Sequence, residues 1–496
     1  MPDTAMTSQK DILDYDVVII GAGISGINSA YRLQEQNPDL SYIILEGRHE
    51  IGGTWSLFQY PGLRSDSDLY TFGFAWRNWT EKTSIARGDL IINYVKESAQ
   101  MYGIDKKILF NHRVDSANWS SDSNSWSFNV MADGVTQKTI RGRWAHLCTG
   151  YYDYKTPLQT TIPGIENFKG EVVHPQFWKK DLDYKDKNVV IVGSGATAVT
   201  LLPILAEDAS HVTMLQRSPS YLLSQPTEDG LEKAMRAWLP AALAYRLIRF
   251  KWILMPFLLT TFFKYCPGTA KKIVKGAAGK QLPETIPIDP HFTPKYNVFQ
   301  QRLCFCPDGD FYASLRNGSA SISTGTIDTV TENSIKLSSG QELHPDIIVT
   351  ATGLKIQIAG GMKVSVDGEP YDVSKKFFWK GVMLEDLPNA NMTIGYVDAS
   401  WTLGADATAQ MVCRILKQMQ KEGVAKVVPR CSEQEKRSMN EKPVLNLTST
   451  YVRAGESRLP KAGDKGQWRP RSYYYEDILM AWYGDIKSGM DWVKCA

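Results

Sequence analysis

The chain has 496 residues, too many for one hydrophobic core, so two or three domains are expected. Hydrophobic residues make up 43% and charged residues 22%, which excludes disordered and collagen-like classes. With 56 basic against 53 acidic residues the net charge is +3, too near balance to point to a nucleic-acid partner.

Residues 1–15 are polar and carry no apolar h-region, so no secretory signal is read there. The seven cysteines are an odd, sparse set, which fits free thiols in a reducing compartment and predicts a cytoplasmic location. Cys304 and Cys306 are one residue apart, the wrong spacing for a CxxC pair, and no metal site is expected.

Val17-Val18-Ile19-Ile20 predicts a buried parallel strand. Gly21-Ala22-Gly23-Ile24-Ser25-Gly26 follows at once, and the spacing of Ile27, Ala30, Tyr31 and Leu33 predicts a helix. Strand, glycine turn and helix form a dinucleotide cradle. The first glycine allows the turn, the second lets a pyrophosphate approach, and the third lets helix and strand pack closely. The helix N-terminus supplies donors and a favourable dipole. A second strand, Tyr42-Ile43-Ile44-Leu45, ends in Glu46, placed to accept from a ribose diol.

The same grammar recurs at Val189-Val190-Ile191-Val192, followed by Gly193-Ser194-Gly195-Ala196-Thr197-Ala198 and a helix. The next strand ends not in an acid but in Arg217-Ser218. A guanidinium there pairs with a ribose 2′-phosphate, where a carboxylate would repel it. This predicts NADPH rather than NADH; the alternative is that Arg217 is a solvated loop cation. Two cradles imply two dinucleotides, and the sensible pair is FAD with the nicotinamide that reduces it. A disulfide reductase would need a cysteine pair that this chain lacks.

Residues 229–280 read as helical. The apolar run from Trp252 to Phe263 is shorter than a membrane span, and Pro256 is expected to interrupt it. The favoured reading is a helical insertion packed on the NADPH domain and roofing the substrate channel. The other is an interfacial patch flanked by Arg246, Arg249, Lys251 and Lys264.

Between the two turns, Phe168-Lys169-Gly170-Glu171-Val172-Val173-His174-Pro175-Gln176-Phe177-Trp178 reads FxGxxxHxxxW. This resembles the fingerprint of the class B flavoprotein monooxygenases, shared by Baeyer–Villiger enzymes and N/S-oxidising relatives, with Lys179 departing from the usual next residue. Gly52-Gly53-Thr54-Trp55 and the stretch from Tyr60 to Asp68 resemble the flavin-side loop of the Baeyer–Villiger family. Gln301-Arg302-Leu303-Cys304 and the stretch from Asn391 to Leu403 are similar to the subgroup that contains the ethionamide-activating monooxygenase.

The resemblance implies an α/β fold of two Rossmann-like domains, the NADPH domain inserted in the FAD domain and carrying a helical insertion. Residues 14–154 and 353–496 would form the FAD domain, 155–226 and 299–352 the NADPH domain, and 227–298 the insertion. It implies Arg302 as the active-site cation and Asp66 as the carboxylate that supports it. Gly53, Thr54, Trp55 and Trp401 would line the flavin, and Thr197, Arg217 and Ser218 would meet NADPH. His174 would couple the domains, and Cys148-Thr149-Gly150 and Ala351-Thr352-Gly353 would be the two crossings. Gln301 stands where relatives carry a lysine, which leaves part of the 2′-phosphate site open. The implied activity is insertion of one oxygen atom from O2 beside a ketone carbonyl through a C4a-peroxyflavin. Sulfoxidation or N-hydroxylation is the first alternative, and a non-catalytic flavin-binding protein is the second. Arg302 and Asp66 also admit a purely structural ion pair, and each Trp a packing role.

Overall fold

The computed structural model describes residues 14–494. The polar opening, apart from residues 14 and 15, and the last two residues of the expected FAD domain lie outside them. Two sheets, one mixed and one wholly parallel, organise the chain, each built on one of the glycine turns.

The first sheet has nine strands. At its centre Tyr15–Ile20 pairs in parallel with Tyr42–Leu45 on one side and with the end of Thr136–Leu147 on the other. Val17, Val18 and Ile19 are buried on both faces, as their uninterrupted β-branched run requires. Each such side chain contributes about 1.5–3 kcal/mol on leaving water. His112–Ser120, Ser125–Ala132 and Thr136–Leu147 extend the sheet as an antiparallel meander. The late strand Ala390–Met392 joins it beside Ala145–Leu147. The helix Ile24–Gln36 follows the first turn, and the late helix Trp401–Glu422 is fastened to it by a bidentate pair between Arg32 and Asp406 at 2.7 and 3.0 Å.

The second sheet has five strands, all parallel, in the order Ala320–Thr324, His211–Gln216, Asn188–Val192, Ile347–Thr350, Glu171–Val173. The helix Ala196–Asp208 follows its glycine turn. Both sheets are therefore Rossmann-like, and the second lies between two parts of the first in chain order.

The segment between them differs from the sequence reading in two respects. Pro256 does not interrupt the helix: Ala241–Tyr265 runs unbroken through it. The lost backbone hydrogen bond costs about 3 kcal/mol in an isolated helix, and tertiary packing offsets it. That packing is the second difference. Tyr245 and Ile248 enter the same core as Val17 and Ile19 of the first sheet. Arg249 donates to the Tyr70 and Gly73 carbonyls, and Arg236 Nη2 to the Tyr70 hydroxyl at 3.0 Å. Only the far end, at Phe263, packs with Tyr221 and Leu303 near the second sheet. The insertion straddles both units rather than resting on the NADPH side alone. No helix among the described residues is long and apolar enough to cross a membrane.

Candidate active site

At the first turn, Gly21 has φ +106°, and a Cβ there would meet the Cys148 carbonyl oxygen at 2.6 Å. A Cβ on Gly26 would lie 1.9 Å from the Gly21 carbonyl oxygen, so the helix is seated directly on the turn. Gly23 faces Gly53: a Cβ on Gly53 would come within 3.2 Å of the Gly23 Cα. The two bare backbones border the N-terminus of the helix Ile24–Gln36, where phosphate would meet peptide N–H groups. Glu46 is buried at the end of its strand. Its carboxylate accepts from the Ala22 N–H at 2.7 Å and from the Arg48 N–H at 2.9 Å. Burial raises its pKa, with these two donors opposing. Arg48 also holds the next loop, donating to the Gly53 carbonyl at 3.1 Å and to Ser56 Oγ at 2.6 Å. Thr54 and Trp55 open the short helix Thr54–Leu57, with the Trp55 ring edge-on to Phe72. A glycine slot, a ribose-directed carboxylate and a helix N-terminus are a donor and acceptor set that fits FAD.

The second turn repeats the logic. A Cβ on Gly193 would meet the Ala351 carbonyl oxygen at 2.3 Å, whereas one on Gly195 would meet nothing within 4 Å. Gly195 thus faces open space at the start of the helix that Ala196 begins. Ala198, which replaces the third glycine, is fully buried. Thr197 hydrogen-bonds the Tyr60 hydroxyl. Arg217 and Ser218 are exposed just past the strand, and the Ser218 carbonyl accepts from Ser194 Oγ at 2.9 Å. Among the described residues Arg217 makes one hydrogen bond, to Thr450 Oγ1 at 3.4 Å. The remaining donors of its guanidinium are free for a phosphate, which fits NADPH.

Arg302 lies between the two units. Its Nη2 donates to the Tyr151 hydroxyl at 3.5 Å. The Tyr151 and Tyr152 hydroxyls are 2.7 Å apart, and Tyr451 flanks the same guanidinium. Tyr151 stacks on Trp401 at 5.1 Å, and Trp401 Nε1 donates to Ser25 Oγ at 2.9 Å. A continuous path thus runs from the first glycine turn through Trp401 and Tyr151 to Arg302. Burial works against the Arg302 charge. Tyr151, Tyr451 and Asp66 more than offset it and hold the guanidinium above its usual range. Arg302 therefore stays charged at every working pH. Asp66, the expected supporting carboxylate, favours the Arg302 charge without direct contact. Among the described residues no ion pair joins them, and Asp66 acts on Arg302 through space while Tyr151 takes the hydrogen bond. The neighbouring Arg64 is instead paired with Asp310. Cys304 is buried, and burial pushes its thiol up to about 12, which leaves it inert.

The two crossings run side by side. Asp153 N–H donates to the Lys355 carbonyl at 2.8 Å, and Gln357 N–H to the Tyr151 carbonyl at 3.0 Å. Lys355 Nζ pairs with the Asp153 carboxylate at 2.8 Å. The fingerprint segment docks on this seam. Gln176 Nε2 donates to the Asp153 carbonyl at 2.7 Å, and His174 Nδ1 accepts from the Gln176 N–H at 3.2 Å. Burial lowers the His174 pKa, opposed by the backbone of Gly353, so the ring is neutral near pH 7. His174 stands at the return crossing and away from Arg302's hydrogen bonds. Lys179 pairs with Glu171 at the surface.

The structure thus gathers Gly21, Gly23, Ser25, Gly26, Glu46, Gly53, Thr54 and Trp401 around the first turn, and Gly193, Gly195, Ala196, Thr197, Arg217 and Ser218 around the second. Sequence reasoning missed Tyr151, Tyr152, Tyr451, Gln176 and Arg48. The tyrosine pair directly follows the first crossing, which was a usable signal; Tyr451 carries no local signal at all.

A family model described as flavin-binding monooxygenase-like matches residues 81–262, and one of the Thi4 family matches residues 1–63. The chain is 44% identical over 472 residues to the FAD-containing monooxygenase EthA of Mycobacterium tuberculosis (strain ATCC 25618 / H37Rv), covering 95% of this chain and 96% of that protein. It is 42% identical to the probable FAD-binding monooxygenase AlmA of Acinetobacter baylyi (strain ATCC 33305 / BD413 / ADP1), covering 93% and 92%. Among solved structures it matches the fold of cyclohexanone monooxygenase from Rhodococcus sp. Phi1 bound to NADP+, with a TM-score of 0.72 at 17% identity over 97% of this chain and 99% of that one.

Proposed function

The chain belongs to the FAD-containing monooxygenases that these relatives represent, and from that premise we propose that it inserts one atom of O2 beside a ketone carbonyl to give an ester or lactone. Its cofactors are FAD and NADPH. Bound FAD, reduced by NADPH, supplies the chemistry that activates O2. The first turn with Glu46 would hold FAD, and the second turn with Arg217 and Ser218 would hold NADPH.

The observation that carries the ketone reading is Arg302. It is a half-buried, permanently charged guanidinium set between the two cradles, with a long hydrogen bond of 3.5 Å to Tyr151, Tyr451 beside it, and donors left over. A fixed cation stabilises negative charge that develops on a substrate oxygen, and in a partly dry site it does so without reorganising. Tyr151 and Trp401, stacked and anchored to Ser25, orient that cation and exclude water on one side. Asp66 and Tyr451 lower the cost of keeping the charge there. Oxidation of a sulfide would not need this charge, so the two reactions separate at Arg302.

Product analysis against a panel of ketones and sulfides tests the proposal. Arg302→Ala is expected to lose ester formation by about 100-fold or more while NADPH still reduces the flavin and any sulfoxidation survives. Equal ester formation by the variant would remove Arg302 from the reaction.

A further inference from the structure

Helices of soluble proteins bury their apolar side, and a helix that is apolar all round is expected to be buried. Ala241–Tyr265 breaks that rule. Its inner face, with Tyr245, Ile248 and Phe263, enters the two cores. Its outer face repeats Leu243, Leu247, Phe250, Leu254 and Leu258 at helical spacing, and every one of them is exposed. Trp238 just before the helix is 86% exposed and Tyr265 at its end is 74% exposed. A continuous apolar stripe of this kind marks an interaction surface.

Charge says what covers it. Between Glu232 and Glu284 the sequence holds ten Lys and Arg and no Asp or Glu. Arg236, Arg249 and Lys251 are engaged inward, Lys251 with Asp229 at 2.6 Å and Glu232 at 2.8 Å. Arg246 and Lys264 are exposed. They are five helical turns apart, so both lie on one edge of the stripe. Lys272 on the adjoining helix Pro267–Gly279 and Lys280 just past its end extend the positive charge. A second copy of the chain docked on this face about a two-fold axis would set these cations against one another. An anionic lipid surface meets both features at once: it accepts the apolar stripe, attracts the cations, and suits Trp and Tyr at the stripe's two ends.

We propose that the outer face of the helix Ala241–Tyr265, with the cations flanking it, docks on the surface of an anionic bilayer and makes the protein peripheral to membranes. The helix lies on the bilayer and does not cross it, in keeping with the charges along it and its packed inner face. The inference is independent of the reaction assigned to Arg302.

Flotation of the purified flavoprotein with phosphatidylcholine vesicles, with and without phosphatidylglycerol, tests it. The protein is expected to float with the anionic vesicles, poorly with the neutral ones, and to be released in about 1 M salt. Arg246→Gln and Lys264→Gln are each expected to weaken partitioning roughly fivefold. Leu254→Glu with Leu258→Glu is expected to abolish it, with flavin absorbance and NADPH oxidation unchanged. The proposal is overturned if the wild type ignores anionic vesicles, or if the Glu variant floats as well as the wild type. A concentration-dependent dimer in light scattering that Leu254→Glu dissolves, without vesicle binding, would assign the face to a second copy instead.

Discussion

Arg217 shows how much chemistry one position carries. It stands where Glu46 stands after the first turn, and both were legible because each ends a strand at a fixed distance from its glycines. The exposed guanidinium keeps most of its donors free, and a charge-assisted bidentate pair contributes about 1.5–3 kcal/mol. Arg217→Ala is therefore expected to reduce the preference for NADPH over NADH roughly ten- to a hundredfold, read as the ratio of kcat/KM values; an unchanged ratio would assign the 2′-phosphate to other residues. His146 was not legible, because its burial depends on Ser29 and Thr393, far away in sequence. Its Nε2 lies 3.1 Å from Ser29 Oγ and 3.3 Å from Thr393 Oγ1, and burial pushes its pKa down to about 3. The folded ring is neutral, whereas the unfolded ring protonates near pH 6.5. Its contribution to stability is complete above about pH 6.5 and is lost as pH falls toward about 3, by up to about 1.4 kcal/mol per unit. Denaturant titrations should show a flatter pH dependence for His146→Gln than for the wild type between about pH 6 and pH 4. Parallel curves would contradict this.

At the scale of elements, the strand–turn–helix units were readable because their signals are local: a β-branched run, glycines at set spacing, then a helical period. Two glycines separate folding from binding. A Cβ at Gly26 would collide with the Gly21 carbonyl at 1.9 Å, so Gly26→Ala is expected to cost about 2 kcal/mol or more and to yield protein poor in flavin. A Cβ at Gly195 meets no protein atom within 4 Å. Gly195→Ala should fold normally, keep its flavin, and raise the KM for NADPH roughly tenfold by obstructing the approach of its pyrophosphate. Absorbance of bound flavin and steady-state kinetics read the two outcomes apart; a flavin-free Gly195→Ala or a flavin-replete Gly26→Ala would reverse the assignments. Pro256 misled for a local reason too. Proline breaks isolated helices, and the tertiary contacts of Tyr245, Ile248 and Arg249 that carry the helix through it come from residues around 17 and 70.

At the scale of the whole molecule, the sequence carried the plan of two cradles but not the seam between them. The doubled glycine grammar predicted two dinucleotide units. The pairing of Asp153 with Lys355 and the assembly of Tyr151, Tyr451 and Trp401 about Arg302 join segments a hundred residues or more apart, and no periodicity or spacing encodes such contacts. The surroundings of Arg302 were legible only in part for the same reason: sequence placed Arg302 and its supporting carboxylate Asp66 at the site but could not say that Tyr151 would take a hydrogen bond from the guanidinium. We propose that this seam directs oxygen from O2 onto a ketone. Turnover under oxygen-18 gas with NADPH and a ketone, followed by mass spectrometry of the product, is the test. The expected product is an ester or lactone carrying one oxygen-18 atom, lost in Arg302→Ala while NADPH is still consumed. NADPH consumption that yields only labelled hydrogen peroxide with the ketones tested, or an ester without the label, would contradict it.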